Sequence, residues 1–179
     1  MGTGFLIHVD KIYYLATAKH IIEEFAKTHG NDNALAYFLN MKDGKSSYGV
    51  FTELKRNHNI NWIMSQDADI AVIPFPIGKE YDVIAISDEL FLTSNKIIEL
   101  QDVFFVSYQP GIESKEKITP ITRKGMISVI NDDGSFYLDG FAFPGNSGSP
   151  VFILPVGMTF TPTGLYAGDP LACRFVGLI

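Results

Sequence analysis

Short runs of alternating apolar residues, each ended by glycine, proline, asparagine or aspartate, fill most of this chain of 179 residues. Many short strands with such frequent punctuation point to an all-β barrel or sandwich architecture. Strands are expected at 4–9 and 11–16, around a tight turn at Val9-Asp10. A hairpin is expected from 34–41 and 46–54, joined by Lys42-Asp43-Gly44-Lys45, where Asp-Gly supplies the turn chemistry. Further strands are expected at 61–64, 69–73, 102–107, 124–130, 135–138, 149–154 and 174–179. One helix interrupts them. Ile21, Ile22, Phe25 and Ala26 share a face, His29-Gly30 supplies a stop, and Thr17 is placed to cap its start. Lys96–Leu100 has helical character but is short, and the polar stretch 87–100, without clear alternation, reads as a linker between two halves.

Composition removes several function classes. With 46% hydrophobic and 13% aromatic residues the chain can offset its ordering entropy, so disorder is excluded. The net charge of −6 and the absence of a basic stripe argue against a nucleic-acid partner. No apolar run approaches the ~18 residues of a membrane span. Cys173 is the single cysteine, which rules out an internal disulfide framework or a cysteine-rich zinc site and leaves a plain thiol. His29-Gly30-Asn31-Asp32 holds too few ligands for a metal centre, and no metal or cofactor is expected.

Three segments carry potential chemistry. Gly145-Asn146-Ser147-Gly148-Ser149-Pro150 places a serine between glycines ahead of the apolar residues Val151, Phe152 and Ile153. Glycine permits a tight turn and close backbone approach, so the amides of Gly145 and Ser147 can converge beside the Ser147 hydroxyl as oxyanion donors. The plainer reading is an ordinary turn entering a strand. A serine needs a neighbouring base. His20, in Thr17-Ala18-Lys19-His20, stands where a strand gives way to the helix; His8, His29 and His58 read as structural. A base in turn needs a carboxylate to orient it. Asp69 opens the run Asp69-Ile70-Ala71-Val72-Ile73, and Asp67, two residues earlier on the same side of an extended chain, competes with it.

Taken together these segments resemble the chymotrypsin-like serine peptidases, in particular the bacterial branch of HtrA-type and glutamyl endopeptidases. Gly2-Thr3-Gly4-Phe5-Leu6-Ile7 is similar to the family's first strand, Thr17–His20 to its base motif, Asp69–Val72 to its acid motif and Gly145–Pro150 to its nucleophile motif. Asp102–Gly111 is similar to the opening strand of its second barrel. The order His, Asp, Ser is the family's, with separations of 49 and 78 residues. The resemblance favours Asp69 over Asp67, because the acid is followed by Ile and then Ala.

The resemblance implies two antiparallel six-stranded barrels, the first over 1–86 and the second, over 101–179, incomplete at its C-terminus, with the active site in the crevice between them. It implies a serine endopeptidase in which Ser147 is the nucleophile, His20 the proton shuttle and Asp69 its orienting acid. The partner would be a polypeptide substrate, and an extracytoplasmic or secreted setting is implied by resemblance alone. Asn146 stands where activated digestive relatives carry an acid that pairs with a newly cut N-terminus, so such cleavage is not expected to be required. Phe141 stands where trypsin-like relatives place an aspartate, and with Ala142 and Phe143 it forms an apolar pocket wall lacking a counter-charge for Lys or Arg. The abrupt ends suggest a fragment of a longer peptidase with further domains. The rival reading is a non-catalytic peptide-binding or scaffolding module on the same fold.

Overall fold

The structure is a computed structural model that describes residues 1–31, 34–109, 117–154, 159–161, 164–166 and 173–179. Pro110 and Gly111 of the second-barrel motif, and Asp32 beside His29, lie outside the described residues.

The first half opens with β1 (Phe5–Val9) and β2 (Ile12–Thr17), paired antiparallel from Phe5 opposite Ala16 to Val9 opposite Ile12. The turn therefore falls at Asp10-Lys11, one residue later than expected, and both residues adopt positive φ, 47° and 73°. That is the backbone hand a two-residue hairpin needs. Helix α1 (Lys19–His29) follows and stops at Gly30, whose φ of 78° is the left-handed stop glycine favours. Then come β3 (Ala36–Asn40) and β4 (Ser46–Val50), an antiparallel hairpin closed at Asp43-Gly44, with the Lys45 amide donating to Asp43 Oδ1 at 3.0 Å.

The expected strand over 46–54 ends early, because α2 (Phe51–His58) replaces its second half. Phe51 and Leu54, three apart, are both buried, which a helix achieves and an alternating strand cannot. His58 consequently sits in the last turn of α2 rather than in a loop. Strands β5 (Ile63–Met64), β6 (Ala71–Pro74) and β7 (Ala85–Ser87) complete the half. The sheet order is β5-β6-β2-β1-β7, antiparallel except for the parallel β1–β7 pair. Leu6, Leu15, Phe51, Leu54, Ile73 and Phe75 form its core.

Residues 88–101 hold two short 3₁₀ turns, Asp88–Leu90 and Ser94–Lys96, the second overlapping the segment with helical character only at Lys96. Beyond them β8 (Asp102–Ser107), β9 (Ile121–Ile130), β10 (Phe136–Gly140), β11 (Pro150–Ile153) and β14 (Arg174–Leu178) form an antiparallel sheet in the order β10-β9-β8-β11-β14. The pair β12 (Thr159–Thr161) and β13 (Gly164–Tyr166) forms a separate hairpin. Strand β9 begins three residues before its expected start. Alternation along β8 turns Val103, Phe105 and Ser107 inward, and Val103 and Phe105 join Ile127 and Val151 in a second core. Among the described residues the first half is a five-stranded sheet with the β3–β4 hairpin and the second a five-stranded sheet with the β12–β13 hairpin, each half with its own core, as the expected mostly-β, two-part architecture requires. No helix among the described residues is long and apolar enough to cross a membrane.

Candidate active site

Helix α1 starts without a side-chain cap of its own. Ala18 is its N-cap residue, and the hydroxyl of Thr17, the expected cap, instead donates to the Thr3 carbonyl at 2.8 Å. The first amides of a helix lack internal partners. Here Asp69, 49 residues away, supplies them: its carbonyl accepts from the Lys19 amide at 3.2 Å and its Oδ1 from the His20 amide at 2.8 Å. The other oxygen, Oδ2, lies 2.5 Å from His20 Nδ1. One carboxylate therefore holds both the backbone and the ring of His20, and it does so at the positive end of a helix. Burial, which would raise the Asp69 pKa, is outweighed by these hydrogen bonds and by the charge of His20, so the carboxyl is held below its ordinary value of 3.8. Asp69 lies just ahead of β6, in the bend that precedes it, not inside the expected strand. Asp67 makes no such contact among the described residues.

The three remaining histidines have structural settings. His8 pairs across the β1–β2 hairpin with Tyr13, ring centroids 4.6 Å apart. His29 stacks on Phe25 and its Nδ1 lies 3.0 Å from the Phe25 carbonyl. His58 closes α2.

The serine loop is built by two positive-φ glycines, Gly145 at 96° and Gly148 at 84°. Gly148 packs so closely on the segment leading to His20 that an added Cβ would run into the Thr3 carbonyl and lie 2.6 Å from Thr17 Oγ1 and 3.0 Å from the Ala18 amide. That contact brings the loop from the second half against the residues immediately before His20. The Ser147 carbonyl accepts from the Thr3 amide at 2.8 Å, and the Gly148 amide donates to the Ile179 carbonyl. Asn146, 1% exposed, closes the loop on itself: its Oδ1 accepts from the Phe143 backbone amide at 2.6 Å and its backbone N–H donates to the Phe143 carbonyl at 3.0 Å. An asparagine can do this without any incoming charge, a role for its side chain that the hexapeptide did not reveal.

Among the described residues the amides of Gly145 and Ser147 donate to no protein acceptor, while their neighbours Asn146, Gly148 and Ser149 all do. Two backbone donors left without a protein acceptor in a serine loop are the groups an oxyanion would need. No hydrogen bond joins the Ser147 hydroxyl to the His20 ring among the described residues. The structure thus joins His20 to Asp69 directly and brings the Ser147 loop to them through backbone packing.

Phe141, Ala142 and Phe143 precede this loop and are exposed, the two rings by 83% and 46%. Arg123 of β9 lies over the Phe143 ring, 4.7 Å from its centroid, and donates to Gln109 Oε1. Sequence reasoning missed this cation beside the proposed apolar wall, since Arg123 is 20 residues from Phe143 and no local signal links them. Among the described residues no three of His, Cys, Asp and Glu cluster as metal ligands would.

A family model described as a trypsin-like peptidase domain matches residues 2–153. No curated protein matches the sequence. Among solved structures, the crystal structure of Deg5 is similar with a TM-score of 0.58 at 18% identity, covering 93% of this chain and 77% of that one. The HtrA-type protease AlgW with a decapeptide is similar with a TM-score of 0.50 at 16% identity, covering 99% of this chain and 47% of that one. The chain thus spans about half the length of the second, and at these identities the likeness is one of fold.

Proposed function

The chain belongs to the trypsin-like peptidase domain family, and on that premise we propose that it is a serine endopeptidase working through Ser147, His20 and Asp69. The observation that carries this reading is the two-point hold of Asp69 on His20, 2.8 Å to the backbone amide and 2.5 Å to Nδ1. With Nδ1 committed to the carboxylate, the tautomer that leaves Nε2 free to accept a proton is favoured.

Ser147 Oγ attacks the scissile carbonyl carbon as His20 Nε2 takes its proton. Asp69 stabilises the imidazolium that forms, and the Gly145 and Ser147 amides receive the oxyanion of the tetrahedral intermediate. Collapse of the intermediate breaks the C–N bond, and the amine leaves with the proton from His20. The resulting acyl-enzyme is hydrolysed by water through the same steps, with His20 first base and then acid. No cofactor enters the sequence.

The test is labelling of the folded protein by a fluorophosphonate probe, since only a hydroxyl activated by a base reacts readily with it. Wild type is expected to be labelled, and Ser147→Ala and His20→Ala are expected not to be. The missing Ser147–His20 hydrogen bond favours a second reading, a peptide-binding module without catalysis. Catalytic hydrogen bonds often tighten only when substrate is bound, which leaves the peptidase reading ahead. Unlabelled wild type would decide for the module.

Specificity follows from the approach to the loop. Phe141, Ala142 and Phe143 offer no counter-charge, and the guanidinium over Phe143 opposes a second cation. We expect small or medium apolar side chains to be preferred over basic ones in a peptide-library digest. Dominant cleavage after Lys or Arg would refute that preference.

A further inference from the structure

The serine loop has a weakness that its own sequence cannot repair. Gly145 and Gly148 sit at φ values of 96° and 84°, and glycine backbones interconvert readily between positive and negative φ. The two donor amides must nevertheless stay aimed at one point. The donor amides belong to the peptides 144–145 and 146–147, which adjoin the peptides carrying the Gly145 and Ser147 carbonyls, so rotation of the latter would shift the Cα atoms from which the donors hang and turn them away.

Both carbonyls are held by Thr3. Its hydroxyl donates to the Gly145 carbonyl at 2.8 Å and its amide donates to the Ser147 carbonyl at 2.8 Å. The same hydroxyl accepts from the Tyr108 amide at 3.0 Å, and the Thr3 carbonyl accepts from Thr17 Oγ1 at 2.8 Å. Thr3 is 2% exposed. A hydroxyl has one proton and two lone pairs, so accepting from Tyr108 directs its proton to Gly145. The other ends of the two peptides are also tied, Asn146 N–H to the Phe143 carbonyl and Gly148 N–H to the Ile179 carbonyl. The amides left over are those of Gly145 and Ser147.

We propose that Thr3 is a positioning residue for the oxyanion donors: its buried hydroxyl, shared between the Gly145 carbonyl and the Tyr108 amide, fixes the loop in which the Gly145 and Ser147 amides converge. The inference rests on the peptidase reading above and adds a residue that reaches the triad only through the backbone carbonyl of Ser147. Replacing the hydroxyl by a methyl group frees the Gly145 carbonyl while keeping the volume and the backbone bond to Ser147. The donors then lose alignment in the transition state, and ground-state binding is little affected.

The experiment is the rate of fluorophosphonate labelling, resolved into a maximal rate and a half-saturating probe concentration. Removing an oxyanion donor outright costs about 100- to 1000-fold, so Thr3→Val, which only misaligns donors, should lower the maximal rate about 10- to 100-fold. The half-saturating concentration should stay within about 2-fold. Thr3→Ser keeps the hydroxyl and should label within about 3-fold of wild type, with an unchanged pH profile because the His20–Asp69 pair is untouched. Thr3→Val labelled at the wild-type rate, or Thr3→Ser as slow as Thr3→Val at equal folded fraction, would overturn the assignment while leaving the peptidase reading in place. If Thr3→Val fails to fold, Thr3→Ser against Thr3→Ala makes the same comparison. Unlabelled wild type would remove the peptidase reading and this inference with it.

Discussion

Asp69 does two jobs with one carboxylate, and each can be measured separately. As the partner of Nδ1 it sets which imidazole nitrogen carries the proton. Asp69→Asn retains the shape but favours the other tautomer, and turnover on a peptide substrate is expected to fall about 10⁴-fold. Asp67→Asn is expected to be silent, because Asp67 makes no contact with His20 among the described residues; an exchange of the two results would move the acid to Asp67. As the distant cap of α1, the ionised Asp69 also stabilises the fold. Its folded-state pKa lies below the ordinary 3.8. A depressed carboxyl contributes stability that is present above the unfolded pKa and lost as pH falls through the folded one. The gap in melting temperature between wild type and Asp69→Asn should therefore be open near neutrality, begin to narrow as pH falls past the unfolded value of about 4, and close only below the folded-state pKa. Half the Asp69 side chain is exposed, so solvent screening keeps that gap modest. A gap that stays undiminished even where the carboxyl is fully protonated in the folded protein would show that the carboxylate charge is not what holds the helix.

Secondary structure was most legible where one period or one turn dominated. The β3–β4 hairpin was readable because Asp43-Gly44 states its turn, and β8 because Val103, Phe105 and Ser107 alternate cleanly inward. Helix α1 was readable from its apolar face and from Gly30. Its start was misjudged because its cap arrives from Asp69, a tertiary contact that no local pattern encodes. Helix α2 was missed for a related reason. Two turns offer only Phe51 and Leu54 as a stripe, too little to separate a helix from the tail of a strand. At the site, the candidate residues could be named because glycines flank Ser147 and because the motifs resemble those of a known family. The supporting contacts were not visible. Thr3 over the serine loop, Asn146 closing it and Arg123 over Phe143 depend on side chains brought together by sheet pairing.

The proposed chemistry requires a nucleophile from one half and a base from the other, so the whole molecule must hold two separate cores in register. Asn40 of β3 contributes by bonding both backbone groups of Ile118, at 2.9 and 3.0 Å, and Lys117 pairs with Asp82 at 2.9 Å. The ion pair is exposed and adds little. The larger contribution is aromatic. Phe175 of β14 lies 5.5 Å from Phe5 in the first sheet, 5.0 Å from Phe91 in the connecting stretch and 5.9 Å from Phe152 in its own sheet. Its carbonyl also accepts from the Leu92 amide at 2.9 Å. One ring thus touches both halves and the chain that links them. Truncation of a fully buried Phe costs about 3–5 kcal/mol, and for this half-buried ring we expect about 2 kcal/mol. The loss should fall on the junction and not on either core. Phe175→Ala is therefore expected to lower the urea midpoint and to slow fluorophosphonate labelling of Ser147, with His20 and Asp69 unchanged. Phe38→Ala, which removes a ring that is 61% exposed on β3, is the matched control and should alter neither. A Phe175→Ala protein that loses stability yet labels at the wild-type rate would show that the halves keep their register without this cluster, and would shift that role to the hydrogen bonds of Thr3 and Asn40.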